Sequence, residues 1–178
     1  GYINASLDST AFENASATAW IYLGGQYRWT GINTDSADKA MLDGIGWDDK
    51  SIPGSLLDFD RLRYWQERML EYYENNGYPF ARITIDSLVV QPDALTAVLE
   101  TDKGPEYRID SIRVYGKANI SNYFLQHYLG IENGSLYRKD RLQSISKKLM
   151  ELPYLKEIRA WDMTMNGAGG VLNLYIDP

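Results

Sequence analysis

Apolar positions recur at helical spacing in two places along the chain. Leu62, Trp65, Met69 and Tyr72 fall at i, i+3, i+7 and i+10, and Leu142, Ile145, Leu149 and Leu152 repeat those spacings. Each set lines one face of a 3.6-residue helix, so the pattern predicts two long helices docked by that face. Asp58 stands at the N-cap of the first, with Leu57 and Leu62 placed as a hydrophobic staple. Asn75-Asn76-Gly77 ends that helix, Gly77 being suited to a left-handed position, and Pro153 ends the second. After each helix the period changes from 3.6 to 2. Residues 81–90, the turn signal Gln91-Pro92-Asp93-Ala94 and residues 95–101 predict one strand pair. Residues 158–165, the tip 166–170 (Asn166-Gly167-Ala168-Gly169-Gly170) and residues 171–176 predict another. In that pair Trp161, Met163 and Met165 alternate onto one face, as do Leu172, Leu174 and Ile176. A strand also precedes each helix, at 27–32 and 107–114. Short helices are expected between, from Ala37, Ala40 and Met41 after Asp35-Ser36, and from Tyr123, Phe124 and Tyr128 after Ser121-Asn122.

The two halves are copies at a constant offset of 80 residues. Tyr27-Arg28 returns as Tyr107-Arg108, Ile32 as Ile112, Gly54-Ser55-Leu56 as Gly134-Ser135-Leu136, and Asp60-Arg61-Leu62 as Asp140-Arg141-Leu142. A period of this length is one small domain. Each copy reads strand, short helix, long helix, strand, strand. That order predicts an α+β module, a three-stranded sheet covered on one face by two helices. The first residues echo a module's end: Gly1-Tyr2 then Ala5 matches Gly77-Tyr78 then Ala81, and Asp8-Ser9 matches Asp86-Ser87. The expected organisation is residues 1–24 as the last two strands of a truncated upstream module, 25–103 as one module and 104–178 as another. The chain opens on Gly1-Tyr2 without a leader and reads as part of something longer. Only residues 102–106, with Pro105 fixing one φ angle, connect the copies, so a bent but restricted arrangement is expected.

Charge sharpens this picture. The chain carries −6 overall, which argues against nucleic acid as a partner. The charge is uneven. Residues 26–104 hold 8 Lys/Arg against 14 Asp/Glu, whereas residues 105–178 hold 10 against 8. The basic excess gathers on the second long helix as Arg138, Lys139, Arg141, Lys147 and Lys148, away from its apolar stripe, either as a solvated face or as a surface for clients or anionic groups.

Catalytic chemistry is thin. There are no cysteines, hence no disulfide or thiolate chemistry, and His127 is the only histidine. Asp48, Asp49, Asp58 and Asp60 form an acidic cluster that suits a calcium site or a carboxylate pair, but helix capping explains it as well. The 14 Tyr and 5 Trp read mainly as core. No apolar run approaches the roughly 20 residues that span a bilayer. Asp-Ser followed by Thr, Ala, Leu or Ile, at Asp8, Asp35, Asp86 and Asp110, looks like an O-glycosylation acceptor of some Gram-negative bacteria, with turn chemistry as the alternative. The chain is read as a non-enzyme without cofactor or metal.

Tandem modules of this order and length resemble the polypeptide-transport-associated (POTRA) domains of outer-membrane assembly factors, the BamA/TamA group. The residues carrying the likeness are NNGYPFARI at 75–83, KGPEYRIDSIRVYG at 103–116, NGSLYRKDRL at 133–142 and LMELPYLKEI at 149–158. The first copy departs from the pattern at Gly24-Gly25-Gln26 and in its polar strand exit, GINTDSAD at 31–38. The resemblance implies a periplasmic, non-catalytic region beside the bacterial outer membrane. Its partners would be unfolded outer-membrane protein clients, accessory assembly subunits and a C-terminal β-barrel in the same full-length chain. It implies that the penultimate strand of each module is an open edge that accepts extended clients by β-augmentation. Here those strands contain Arg82, Ile83, Thr84 and Ile85, and Glu157, Ile158, Arg159, Ala160, Trp161, Met163 and Met165. The alternatives are the similar modules of a two-partner secretion transporter and, from another class, a carboxylate-based hydrolase or calcium-binding module.

Overall fold

The computed structural model describes residues 1–167 and 169–178, so Ala168, at the tip of the last expected turn, lies outside the described residues. The chain forms two compact units. Unit 1 is Gly1–Met69 with Ile83–Thr101, and unit 2 is Leu70–Arg82 with Asp102–Pro178.

Unit 1 opens with a hairpin, β1 (Ser6–Glu13) and β2 (Ser16–Tyr22). Leu7 opposes Ile21, Thr10 opposes Ala19 and Phe12 opposes Ala17, so these six side chains share one face. That face is bare, with Phe12 79% exposed. Strand β3 (Arg28–Asn33), helix α1 (Lys39–Ile45), a 3₁₀ turn at Asp49–Ser51 and helix α2 (Phe59–Glu74) follow. Strands β4 (Arg82–Gln91) and β5 (Ala94–Asp102) complete a three-stranded sheet in the order β3-β5-β4, with β3 parallel to β5. Leu95, Ala97 and Leu99 of β5 are buried with Leu62 and Met69 of α2 and Met41 and Ile45 of α1. The cap of α2 is the one expected, since Asp58 Oδ1 accepts from the N–H groups of Asp60 and Arg61 at 2.9 and 3.1 Å.

Unit 2 repeats the plan with β6 (Arg108–Tyr115), α3 (Asn122–Leu129), a short β7 (Ser135–Leu136), α4 (Lys139–Gln143), α5 (Ile145–Met150), β8 (Lys156–Asn166) and β9 (Gly169–Asp177). Its sheet order is β7-β6-β9-β8, with β6 parallel and β8 antiparallel to β9. Ile109, Ile112, Leu142, Ile145, Leu149, Leu172, Leu174 and Ile176 form one buried core, as the periodicities predict, joined by Leu125, Leu129 and Ile131.

Several expectations need correction. The second long helix is two short ones, because Ser144 Oγ bonds the Arg141 carbonyl at 2.7 Å and breaks the ladder there. Its module gains a fourth strand, β7. The apolar face of α3 is Leu125 and Leu129, not the aromatics. Tyr123 is 72% exposed with its ring against His127, and Phe124 stacks on Tyr128. Likewise α1 starts after Asp38, Asp35 being spent on a turn with Asn33, and it buries Ile45 while Ala40 is exposed. On α2 the buried stripe ends on Tyr73, with Trp65 and Tyr72 half-buried. Ile85 is 40% exposed, and past Ile83 no side chain of β4 is buried.

Helix α4 shows how a lost cap is replaced. Arg138 stands where Asp58 caps α2, and its side chain cannot accept a hydrogen bond. The N–H of Asp140 is instead taken by Asn75 Oδ1 at 2.8 Å, while Lys139 pairs with Glu74 at 2.7 Å. Both acceptors belong to the 70–82 segment of unit 2, which explains why that segment clusters there.

Candidate functional site

The 80-residue repeat is an edge clamp. Arg28 donates through Nη1 to the Gly54 carbonyl at 2.7 Å, and Arg108 donates to the Gly134 carbonyl at 3.0 Å. The Gly54 N–H bonds the Trp29 carbonyl and the Gly134 N–H bonds the Ile109 carbonyl. The Leu57 and Tyr137 N–H groups bond the carbonyls of Tyr27 and Tyr107. In each unit the Gly-Ser-Leu segment is thus laid along the first strand, bridging Arg28 to Leu56 and Arg108 to Leu136. Both glycines carry left-handed φ angles, +79° and +78°, which explains why they recur. One margin of each sheet is covered by this device. The other margin is β4 in unit 1 and β8 in unit 2.

These two strands contain the residues expected to receive clients. In β4, Arg82 pairs with Asp102 at 3.0 Å, Ile83 is buried, Thr84 is exposed, and an exposed apolar row follows in Ile85, Leu88, Val89 and Val90. Strand β8 is not one straight ladder. Its register with β9 shifts between Glu157 and Arg159 and again between Arg159 and Asp162, and it then runs regularly from Asp162 to Asn166. Ile158 and Ala160 are exposed, and Glu157 accepts from Ser146 Oγ at 3.0 Å. Trp161 and Met163 pack against the core of unit 2, so of the three residues on that face only Met165 is exposed.

The basic residues are dispersed. Arg138 forks onto Asp140 at 2.8 and 3.2 Å, and Lys139 pairs with Glu74. Lys148 donates to the carbonyls of Tyr128 and Leu129 at 3.2 and 2.9 Å, holding the C-terminal turn of α3. Lys147 is exposed. Arg141 is exposed and lies against Gly130; among the described residues its guanidinium makes no hydrogen bond or ion pair. Asp140 is subject to opposing effects: burial raises its carboxyl, but Arg138 and the Arg141 N–H outweigh it and hold the group below the usual carboxylate range.

The acidic cluster is used for capping. Asp48 accepts from the Lys50 N–H at 3.1 Å, Asp49 from the Trp47 indole, and Asp58 caps α2. Among the described residues no three His, Cys, Asp or Glu side chains converge as a metal site. His127 Nδ1 lies 2.9 Å from the Tyr123 carbonyl, one turn back on α3. Of the Asp-Ser pairs, Asp8 and Asp110 sit at β-bulges, and Ser36 bonds the Leu99 carbonyl and accepts from the Thr101 N–H. Among the described residues no helix is long and apolar enough to cross a membrane.

A polar seam that the sequence reading missed ties β8 to its sheet. Asn173, only 4% exposed, donates to Asp162 Oδ1 at 2.7 Å and to Thr164 Oγ1 at 2.9 Å. Tyr175 OH donates to Asp162 Oδ2 at 2.9 Å, as does Arg159 at 3.1 Å. Arg159 lies 4.6 Å over the Tyr175 ring, which stacks on Tyr115 at 5.2 Å. The one visible signal is an asparagine inside the apolar run Val171–Ile176. Hydrogen bonds from Asn173 and Tyr175, with the Arg159 charge, hold the Asp162 carboxyl below its ordinary range. A depressed carboxyl stabilises the fold above its unfolded value, about pH 4, and that contribution is lost as pH falls through the folded value. Asp162→Asn is therefore expected to be less stable than the parent at pH 7, with the gap narrowing at pH 3. Urea unfolding followed by circular dichroism at both pH values measures it, and a gap independent of pH would exclude a role for the charge.

No protein-family model matches the chain, and no curated protein matches it. Solved structures do. The crystal structure of Haemophilus influenzae BamA POTRA3-5 superposes with a TM-score of 0.58 at 12% identity, covering 100% of this chain and 74% of that one. BamA from Haemophilus ducreyi lacking POTRA domains 1-3 gives a TM-score of 0.57 at 14% identity, covering 85% of this chain and 29% of that one. The chain thus spans less than a third of the second protein. The fold of this chain is α+β and of the POTRA type.

Proposed function

We propose that this chain is the non-catalytic, periplasmic polypeptide-receiving region of an outer-membrane β-barrel assembly or translocation protein. Residues 25–103 and 104–178 act as POTRA modules, and residues 1–24 supply the strand pair of a further one. Extended clients add as strands to β8, over its regular stretch from Asp162 to Asn166, and to the exposed apolar row of β4. Main-chain hydrogen bonds make such uptake tolerant of client sequence. Accessory assembly subunits and a β-barrel in the same full-length chain are the other partners. The observation that carries this reading is the asymmetry of the two sheets: the repeated Tyr-Arg and Gly-Ser-Leu residues cover one margin of each and leave the other without such a clamp. An uncovered edge is a ready template for another strand.

The test is an NMR titration of the labelled 178-residue chain with unfolded peptides derived from outer-membrane barrels. Amide shifts are expected in 156–166 and 82–91, larger in the first because unit 2 is the more basic half, and weaker at high salt. Shifts absent from both strands would overturn the reading.

A further inference from the structure

Beyond strand addition, we propose that unit 2 holds a second recognition site, a cleft that takes one apolar side chain flanked by a carboxylate in an extended acidic peptide. The cleft measures about 160 Å³. Ile109, Ile131, Leu136 and Leu142 form its apolar walls, and Arg138 and Arg141 line it as well. A cavity of about 150 Å³ with such walls accommodates a benzene ring, so one leucine or phenylalanine side chain is the matching guest.

The internal repeat places a larger side chain at one of these walls in the first copy. Eighty residues earlier, Ile109 is replaced by Trp29, which is 3% exposed, and Lys139 by Phe59, whose ring stands edge-on to Trp29 at 6.2 Å. In the first copy the Trp29 ring is buried, whereas Phe59 is half exposed. The second copy has a smaller side chain at the first position and, at the other, a lysine drawn away to Glu74. Its loop from Gly130 to Gly134 is also four residues shorter than the one from Gly46 to Gly54.

Charge selects the occupant. Asp140 already satisfies Arg138 through two hydrogen bonds, whereas the Arg141 guanidinium makes none among the described residues and stands exposed beside the apolar walls. A guanidinium in that position presents paired donors to a carboxylate, the geometry in which arginine binds best. The cleft adjoins β7, at the opposite end of the strand order from β8, so its occupation and strand addition are separable events.

The experiment uses the 178-residue chain and three labelled peptides. One carries phenylalanine between aspartates, the second replaces that phenylalanine with serine, and the third replaces the aspartates with lysine. Fluorescence polarisation gives affinity, and NMR shifts at Gly130, Ile131, Ser135 and Leu136 give location. The first peptide should bind best. Arg141→Gln should weaken it by about tenfold, the loss of one charge-assisted contact. Ile109→Trp, which restores the first copy's filler, should abolish binding. Circular dichroism checks its fold, and if that variant does not fold, the exposed Arg141→Gln substitution decides alone. Equal binding of the serine or lysine peptide would overturn the proposal. So would an unchanged affinity in Arg141→Gln, or binding of anionic phosphatidylglycerol vesicles in place of the peptide. Shifts confined to 156–166 would remove the cleft and leave strand addition standing, and shifts confined to the cleft would do the reverse.

Discussion

Leu149→Ala is expected to destabilise the fold by about 2–5 kcal/mol, the range for removing a buried leucine and leaving a cavity. Leu149 is 1% exposed and belongs to the same cluster as Ile145, Leu172, Leu174 and Ile176. Two features place it toward the upper part of that range. Helix α5 has only 6 residues, too few to hold its shape without packing, so losing the anchor loosens the whole element. Its cluster includes Leu172, Leu174 and Ile176 of β9, a strand hydrogen-bonded on both sides, which cannot collapse into the void. Urea unfolding with circular dichroism measures the change, and a cost under about half a kcal/mol would mean that another face of the helix carries the core.

Gly116→Ala should cost about 3 kcal/mol, from a strained backbone and a direct clash together. Gly116 has φ +113°, where side chains are rarely found, and a Cβ there would lie 2.2 Å from the Ile176 carbonyl oxygen and 2.8 Å from Asp177 Oδ1. Neither oxygen is free to move, since Ile176 O accepts from the Ala118 N–H and Asp177 Oδ1 from the Lys117 N–H. Gly134→Ala supplies the control. Its φ is +78° with nothing within 4 Å, so it should lose only the conformational term, about 1 kcal/mol. Equal losses in the two variants would show that the clash is relieved by local movement and that φ alone sets the cost.

Legibility followed the range of the interaction. The stripe Leu142, Ile145 and Leu149 and the alternation Leu172, Leu174 and Ile176 were readable because each depends only on spacing within one element. Caps at Asp58 and Ser121 were readable for the same reason. The face of α3 was misread because its aromatics are large and Leu125 and Leu129 are fewer, and periodicity over 8 residues does not discriminate well. The break at Ser144 was hidden, since a serine hydroxyl has to choose between solvent and the carbonyl one turn back.

For the candidate site, the strand segments were legible from the repeat and from the family resemblance, but their condition was not. That β8 is bulged at Ile158 and again across Ala160 and Trp161, and that Trp161 and Met163 face the core, depends on which residues of β9 they meet. The amino-acid sequence by itself determined the duplicated plan, the apolar stripe of Leu142, Ile145 and Leu149, the alternation along β9 and the glycines that must turn left-handed, because these are properties of neighbours along the chain. Tertiary structure alone decided that Arg28 and Arg108 are clamps, that Asn75 caps α4, that Asn173 and Asp162 form a seam, and that Arg141 is left beside an open cleft. Each of those joins groups 11 to 65 residues apart. Such pairings exist only once the core has fixed the register of the strands, because a side chain's partner across a sheet is set by the packing of both faces and not by its own neighbours.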